Sequence, residues 1–502
     1  MRAHHHCEPE GLPGWPAAQD AHAPQAASGK RAARVDEARH HGHRQGTYPP
    51  LPPLLDDAVA QLVHGSPALL TELVEQYGSP LNLVWPHLLR NNTRKLTDVL
   101  LSQGVNHAIF YGAKVNKSQA FLHAAVQEGI GVDVSSLYEA ADALAAGAQP
   151  ARLCATGPAK TVAFLQMLVA QGSLISIDSR EELHDLEQCL HTGTSGHPAR
   201  VLLRYRPDAC ASSRFGMGAE ELRDCLGRLA GRQAPITVEG FHFHLGGYAV
   251  PPRVQAVREL LPWVREARRH GLALSMLDIG GGLPIRYVDS TAYEMFLAAQ
   301  DGGHYRHGKV PASFYPYGGP ADASTWLAQL LVSPCADGLN VAESLRTAGL
   351  TLAIEPGRSL VDQAAISVFR VTRTKPLAPG RCVVFVEGSS FSACETWFGS
   401  EFLVDPLLVP ADTGQPLGAM PQPCQAYIAG HSCLDDDVLT HRWIEFARTP
   451  QPGDLLVYAN TAGYQMDLLE NEFHRHPMPR RIAVTRTAAG GMDFSPDDNR
   501  PE

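Results

Sequence analysis

From about residue 54 the chain becomes periodic. Apolar positions recur at helical spacing over 55–77 and again over 86–103, with the short segment Leu81–Val84, three of its four residues apolar, between them. Four residues are too few for a buried helix, so the pattern predicts helix, strand, helix. Eight further compact apolar runs follow, at 107–115, 131–135, 152–156, 174–178, 201–206, 240–245, 274–279 and 350–354. Amphipathic stretches lie between most of them, at 119–128, 137–146, 160–171 and 220–232. Strand alternating with helix eight times, over roughly 250 residues, predicts an α/β fold of the (β/α)8 TIM-like barrel type, here spanning 86–362.

One connection departs from this rhythm. Residues 288–349 include the Gly-, Tyr- and Pro-rich stretch 301–320 and read as an insertion before the last barrel strand, on the face where barrels carry their substrate-shaping loops. After Gly357 the long helices stop. Runs at 366–374, 381–387, 425–429, 454–459 and 481–486 predict a C-terminal all-β domain over 363–487, joined by the N-terminal segment 54–85. Residues 1–53 are rich in Pro, Ala, Gly, Gln and His and offer too little apolar surface to offset ordering entropy, so they read as a disordered tail. The tail's histidines, His4 to His6 and His40, His41 and His43, read as solvated rather than metal-bound. Residues 488–502 read as a frayed tail.

Composition narrows the function classes. At 502 residues the chain is too long for one ordinary core. Its 44% hydrophobic and 19% charged residues are those of a globular protein. A net charge of −10 argues against a general nucleic-acid binder. The ten cysteines contain no CxxC pair, which suggests neither zinc nor a disulfide framework; they read as reduced thiols of a cytoplasmic protein. No apolar run reaches membrane-spanning length, and the N-terminus has no secretory apolar core. The expectation is no metal, no membrane and no nucleic acid.

Barrel chemistry gathers where strands end. The first run ends in Tyr-Gly-Ala-Lys114-Val-Asn-Lys117, the sixth in His242-Phe-His244-Leu-Gly246-Gly247, the seventh in Asp278-Ile-Gly280-Gly281-Gly282, and the eighth in Glu355-Pro-Gly357-Arg358. Three glycines let backbone N–H groups approach a phosphate without side-chain obstruction, and Arg358 adds a planar cation on the neighbouring loop. A glycine triplet alone is often only a turn. Together with a lysine at the first strand end it forms a specific constellation.

These residues carry a resemblance. "YGAKVNKS" (111–118), "GVDVSSLYE" (131–139), "IDSREEL" (177–183), "SRFGM" (213–217), "HFHLGG" (242–247), "LDIGGG" (277–282), "EPGR" (355–358), "GHSCLDDDVL" (430–439) and "NTAGY" (460–464) stand in the order of the barrel-type (fold type III) pyridoxal-phosphate decarboxylases. From about 55 to 485 the chain resembles that family, in general pattern diaminopimelate decarboxylase. The resemblance implies pyridoxal 5′-phosphate carried as a Schiff base on Lys114, with Lys117 the competing lysine; strand alternation would point the two to opposite faces. It implies that Glu355 faces the pyridine nitrogen and keeps the ring a strong electron sink. It implies His244 stacked on the ring, with His242 a core histidine or its rival. Gly280, Gly281, Gly282, Gly357, Arg358 and Tyr464 would bind the cofactor and its phosphate. Cys433 would reach a neighbouring subunit's site in a homodimer with shared active sites, helping to return the proton, and Asp437 would shape that region.

Three departures bear on the substrate. Leu434 stands where the family has the acid that meets a distal ammonium, with Asp435 and Asp436 beside it; Gly247 stands for a serine; Arg214 stands for a lysine. An aliphatic side chain cannot pair a cation, and an unpaired buried ammonium is costly. The expected activity is therefore α-decarboxylation of an amino acid or amino-acid conjugate, with the basic amino acids disfavoured. A racemase or lyase on the same cofactor, or an inactive cofactor-binding regulator, are the alternatives.

Overall fold

The computed structural model describes residues 49–192, 198–230, 235–392, 399–411, 422–468 and 472–497. Most of the expected N-terminal tail lies outside them. The chain enters through two helices, Asp57–Val63 and Pro67–Tyr77, rather than the single helix expected over 55–77. Gly65, Ser66 and Pro67 interrupt it, with Pro67 at the first helical position, where its missing N–H costs nothing. Strand β1 (Leu81–Val84) follows.

Eight parallel strands then close into a barrel: β2 (His107–Gly112), β3 (Gly131–Val134), β4 (Leu153–Ala155), β5 (Leu174–Ile177), β6 (Ala199–Arg204), β7 (Ile236–His242), β8 (Met276–Asp278) and β9 (Thr351–Ile354). Closure is made by β9 on β2, with Ile354 aligned to Ile109. Each of the eight predicted runs supplies one strand. Phe110, Cys154, Leu174, Leu202 and Ala353, one side chain from each of five strands, meet in their own buried cluster and fill the interior below the strand ends.

Two boundaries change the chemistry. β2 stops at Gly112, and Ala113–Val115 form a 3-10 turn, so strand alternation does not separate Lys114 from Lys117. β7 stops at His242, which leaves His244 in the following loop rather than on the same strand.

The 288–349 segment also divides. Its helices Ala323–Val332 and Val341–Thr347 pack against barrel helices Pro86–Ser102 and Val250–Arg269 and against β9, as outer barrel helices do. Only about 289–322 is additional, and the Gly- and Pro-rich composition of 301–320 hid the amphipathic stretch behind it.

The remaining strands are β10 (Ala365–Ala378), β11 (Arg381–Val386), β12 (Leu407–Val409), β13 (Cys424–Ala429), β14 (Val438–Phe446), β15 (Leu455–Ala459), β16 (Arg480–Arg486) and β17 (Met492–Pro496). They form a second, mixed sheet ordered β14-β13-β11-β10-β1-β16-β17, with β15 pairing β10 and β12. β1 lies antiparallel to β10 and parallel to β16. The stretch expected to be a frayed tail is partly ordered: β17 pairs β16, and Asp497 beyond it accepts the Ser118 hydroxyl and the Ala120 N–H, tying the chain's end to the loop that follows Lys114.

Candidate active site

A cavity of about 290 Å³ opens at the C-terminal ends of the barrel strands. Of the residues expected in catalysis or cofactor binding, eight line it: Lys114, His244, Gly281, Gly282, Glu355, Gly357, Arg358 and Tyr464. Gly280 stands directly behind, and Cys433 does not line it within this chain.

Lys114 leaves the 3-10 turn and donates to Asp133 Oδ2 at 2.7 Å. Asp133 is buried on β3 and accepts the Thr156 hydroxyl on its other oxygen at 2.6 Å. Burial opposes the lysine's charge, but the Asp133 and Glu355 carboxylates and Tyr464 outweigh it, so its pKa is raised. In the protein alone it is therefore an ammonium. Lys117 gives its backbone N–H to Asp467 at 2.7 Å and lines a neighbouring cavity of about 240 Å³, onto which Lys114 and Tyr464 also open.

At the base of the site Glu355 is buried, and its Oε1 has no hydrogen-bond partner of ordinary geometry among the described residues. Its Oε2 lies 3.7 Å from His242 Nε2. Burial, then the nearby Asp278 and Asp133 carboxylates, push the Glu355 pKa up. Asp278 is pushed up to about 7, mainly by burial, although it accepts the Gly280 N–H at 2.8 Å. His242 pairs its Nδ1 with the Ser176 hydroxyl at 2.7 Å inside the barrel, and burial, then Arg204, hold its pKa well down. It is a core histidine packed beside Glu355. Glu355, Asp278 and Cys154 bring potential ligand atoms within 4.8 Å of one another.

His244 occupies the cavity wall. Its Nδ1 accepts the Gly281 N–H at 3.2 Å, and burial, then Lys114, Arg204 and Arg253, push its pKa down to about 3. A neutral ring with an accepting Nδ1 satisfies both observations. The glycine triplet has to approach it closely: a Cβ on Gly280 would come 2.7 Å from His244 Nδ1, and one on Gly281 would come 2.5 Å from the Glu355 carbonyl. Gly280 and Gly282 also have φ of +69° and +74°, where glycine carries no Cβ penalty.

The loop's carbonyls are gathered by Arg253, a residue sequence reading passed over. Its buried guanidinium donates to the carbonyls of Leu245, Gly247, Gly281 and Gly282, at 2.8 to 3.3 Å. Arg358 is held between two rings, 3.9 Å from the Tyr315 centroid and 4.8 Å from that of Tyr464. A cation between aromatic faces is attracted by both quadrupoles, typically by about 0.5–2 kcal/mol each.

Cys433 is exposed, and its Sγ lies 3.0 Å from His474 Nε2. Asp437 is buried and shapes the preceding loop, accepting the N–H of Ser390 at 2.7 Å and of Ser432 at 3.0 Å. Arg306, from the additional 289–322 segment, pairs with Asp435 at 3.4 Å and Asp436 at 3.6 Å.

Residues 89–300 match the family described as "Pyridoxal-dependent decarboxylase, pyridoxal binding domain". The chain is 26% identical to the diaminopimelate decarboxylase of Zymomonas mobilis over 330 residues, covering 63% of this chain and 69% of that one. This chain belongs to the barrel-type pyridoxal-phosphate decarboxylases. It is 54% identical to the uncharacterized protein y4yA of Sinorhizobium fredii over 447 residues, covering 89% of this chain and 96% of that one. The fold is shared with a crystal structure of diaminopimelate decarboxylase from m. jannaschii in complex with L-lysine, at TM-score 0.66 and 18% identity, covering 85% of this chain and 91% of that one.

The family's cofactor is pyridoxal 5′-phosphate, and the cavity's chemistry fits it. A lysine and a buried carboxyl group occupy it together with a glycine loop and a fixed guanidinium. These match the needs of an aldehyde, a ring N–H and a phosphate respectively. Besides Arg253, sequence reading gave no role to Asp133, Asp278, Tyr248 and Tyr315. A charged residue inside the buried run Val132–Val134 was a usable signal for Asp133. The tyrosines carried none.

Proposed function

We propose that this decarboxylase removes the α-carboxylate of an amino acid or amino-acid conjugate whose distal end is not a lone ammonium. Lys114 would hold the cofactor; Gly280, Gly281, Gly282, Gly357, Arg358 and Tyr464 would seat its phosphate end; His244 would lie against its ring. Glu355 would accept from the ring nitrogen, and the bound cofactor supplies the electron sink for Cα. Glu355 carries this reading: it is buried at the base of the cavity beside Asp278, and a ring N–H would give its Oε1 a donor. A glutamate there favours the strong sink that decarboxylation needs over the racemase alternative.

The substrate preference rests on the pairing of Arg306. Leu434 offers no charge, and the two neighbouring carboxylates, on Asp435 and Asp436, are already engaged by Arg306. A distal ammonium would have to compete for them.

The active unit in this reading is a homodimer. Leu434 and Phe473, 45% and 43% exposed, flank the Cys433–His474 contact, and apolar groups around an exposed thiol suit a covering partner subunit. Cys433 would then serve the partner's site. Carbon-dioxide release over a panel of amino acids and conjugates tests the function: release from an apolar, anionic or conjugated substrate is expected, and release from none of the panel by the cofactor-loaded protein sinks it.

A further inference from the structure

A larger cleft, of about 680 Å³, lies between helices Pro86–Ser102 and Ala323–Val332 and the loops that follow β8 and β9. That volume is ordinary for a small-molecule site. The cleft shares no lining residue with the cofactor cavity, although Ser359 on its wall directly follows Arg358. Leu54, Leu88, Leu96 and Ala323 give it an apolar side.

Most of the charges around it are engaged elsewhere or stand at the rim. Arg94 pairs with Glu128 at 2.7 Å, and Asp56 and Asp322 each cap the helix that follows. Lys95 and Asp98 are exposed. Two half-buried groups of opposite charge remain, Arg286 and Asp362. The Arg286 backbone N–H donates to Asp362 Oδ2 at 3.3 Å, yet the two side chains do not pair. The Arg286 guanidinium forms no ion pair among the described residues, and its buried Nε has no hydrogen-bond partner there. Asp362 pairs with no cation among them either. Burial pushes its carboxyl up to about 7, and Lys95, beyond ion-pair distance, only partly opposes this. The buried Ser359 hydroxyl is likewise without a partner among the described residues.

A cation and an anion that line one cleft without meeting each other are complemented by a molecule that carries both charges. A guanidinium takes a carboxylate through two parallel N–H groups, a half-buried carboxylate takes an ammonium, and the leucines take an aliphatic side chain. We infer that this cleft is a binding site for a zwitterion of amino-acid or dipeptide size, with its carboxylate on Arg286, its ammonium on Asp362 and its side chain against Leu88 and Leu96. The inference does not depend on how the cofactor cavity is used.

Calorimetric titration of the cofactor-loaded protein tests it, after borohydride reduction so that an added amine cannot exchange at Lys114. The probes are L-leucine, L-leucyl-L-leucine, leucinamide, which lacks the carboxylate, and 4-methylpentanoate, which lacks the ammonium. One of the two zwitterions should bind saturably, and which of them binds more tightly gives the length of the ligand. Leucinamide and 4-methylpentanoate should each bind about tenfold or more weakly than L-leucine, the loss of one charge-assisted contact. Arg286→Gln should erase the preference for L-leucine over leucinamide while keeping that over 4-methylpentanoate, and Asp362→Asn should do the reverse. A misfolded variant would lose both preferences together, so the crossed pattern reports the site itself. Saturable binding of neither zwitterion overturns the inference, as do singly charged probes that bind as tightly as L-leucine, or variants that keep the wild-type preferences.

Discussion

Lys114 Nζ and Asp133 Oδ2 lie 2.7 Å apart, an ion pair at the mouth of the barrel formed before any cofactor arrives. Asp133 is buried and fixed by Thr156, whereas the lysine side chain is 39% exposed toward the cavity. The carboxylate holds the lysine in place, oriented but protonated. An ammonium cannot attack an aldehyde, so cofactor capture has to wait for the proton to leave.

Replacing Asp133 with Asn should therefore speed capture at neutral pH. The amide keeps an oxygen for Thr156 but loses the charge that raises the lysine's pKa, and a close opposite charge is worth roughly 1–3 pH units. The rate at which absorbance develops on mixing with pyridoxal 5′-phosphate should follow a pH profile displaced to lower pH by about that amount. A profile identical to wild type would show that Asp133 does not control the lysine.

Borohydride reduction of the cofactor-loaded protein, followed by peptide mapping, should place the pyridoxyl group on Lys114. The geometry makes Lys117 a real competitor, because both lysines open onto the neighbouring cavity and the 3-10 turn removes the strand alternation that would have separated them. Label on Lys117 would overturn the assignment.

The contrast between what the sequence announced and what it concealed has a physical origin. Strand ends were legible because buried parallel strands read as compact apolar runs closed by turn residues, and because glycines mark close backbone approach. Those signals alone place Lys114, Gly281, Glu355 and Arg358 at one barrel end. Arg253 was not legible, because an arginine on an amphipathic helix reads as solvated; only its bonds to four loop carbonyls reveal it as buried. Tyr315 lies in an aromatic and proline-rich stretch without periodicity, so nothing local indicates which ring reaches Arg358. β14 was missed although Val438–Phe446 is mostly buried, since Thr440, His441 and Arg442 interrupt its apolar pattern; the charge on Arg442 is matched by Asp405 at 2.6 Å.

His244 makes a prediction about stability. Its folded-state pKa, about 3, lies below the ordinary value of 6.5, so between those limits the unfolded chain binds the extra proton. The neutral ring's contribution is present above about pH 6.5 and is lost as pH falls toward 3. Urea unfolding of the cofactor-free protein at pH 7 and pH 5 should show a smaller loss of stability on acidification for His244→Gln than for the wild type. Equal losses would mean that His244 titrates normally in the folded chain.

Chains carrying Lys114→Ala and Cys433→Ala, each inactive alone, should regain activity when mixed. In a heterodimer with shared sites, one of the two sites keeps both wild-type residues, so with random pairing of an equal mixture recovery should approach about a quarter of wild type. Heterodimers verified by mass that remain inactive would place Cys433 in service of its own chain or of none.

The last prediction concerns Leu434, which is 45% exposed beside two aspartates engaged by Arg306. A carboxylate in the position of Leu434 would give a distal ammonium a charge-assisted contact worth roughly 1.5–3 kcal/mol. Without it, ornithine, lysine and diaminopimelate should be poorer substrates by about one to two orders of magnitude in kcat/KM. Arg306 makes the argument testable from the other side. Arg306→Ala releases Asp435 and Asp436, so it should raise kcat/KM for the basic amino acids while leaving an apolar or conjugated substrate little changed, and Leu434→Asp should act in the same direction. Steady-state kinetics on the three proteins decide the matter. A wild-type kcat/KM for a basic amino acid of about 10⁴ M⁻¹s⁻¹ or above, ordinary for an enzyme, would mean that one of the two aspartates meets the ammonium despite Arg306, and the proposed substrate preference would fall with it.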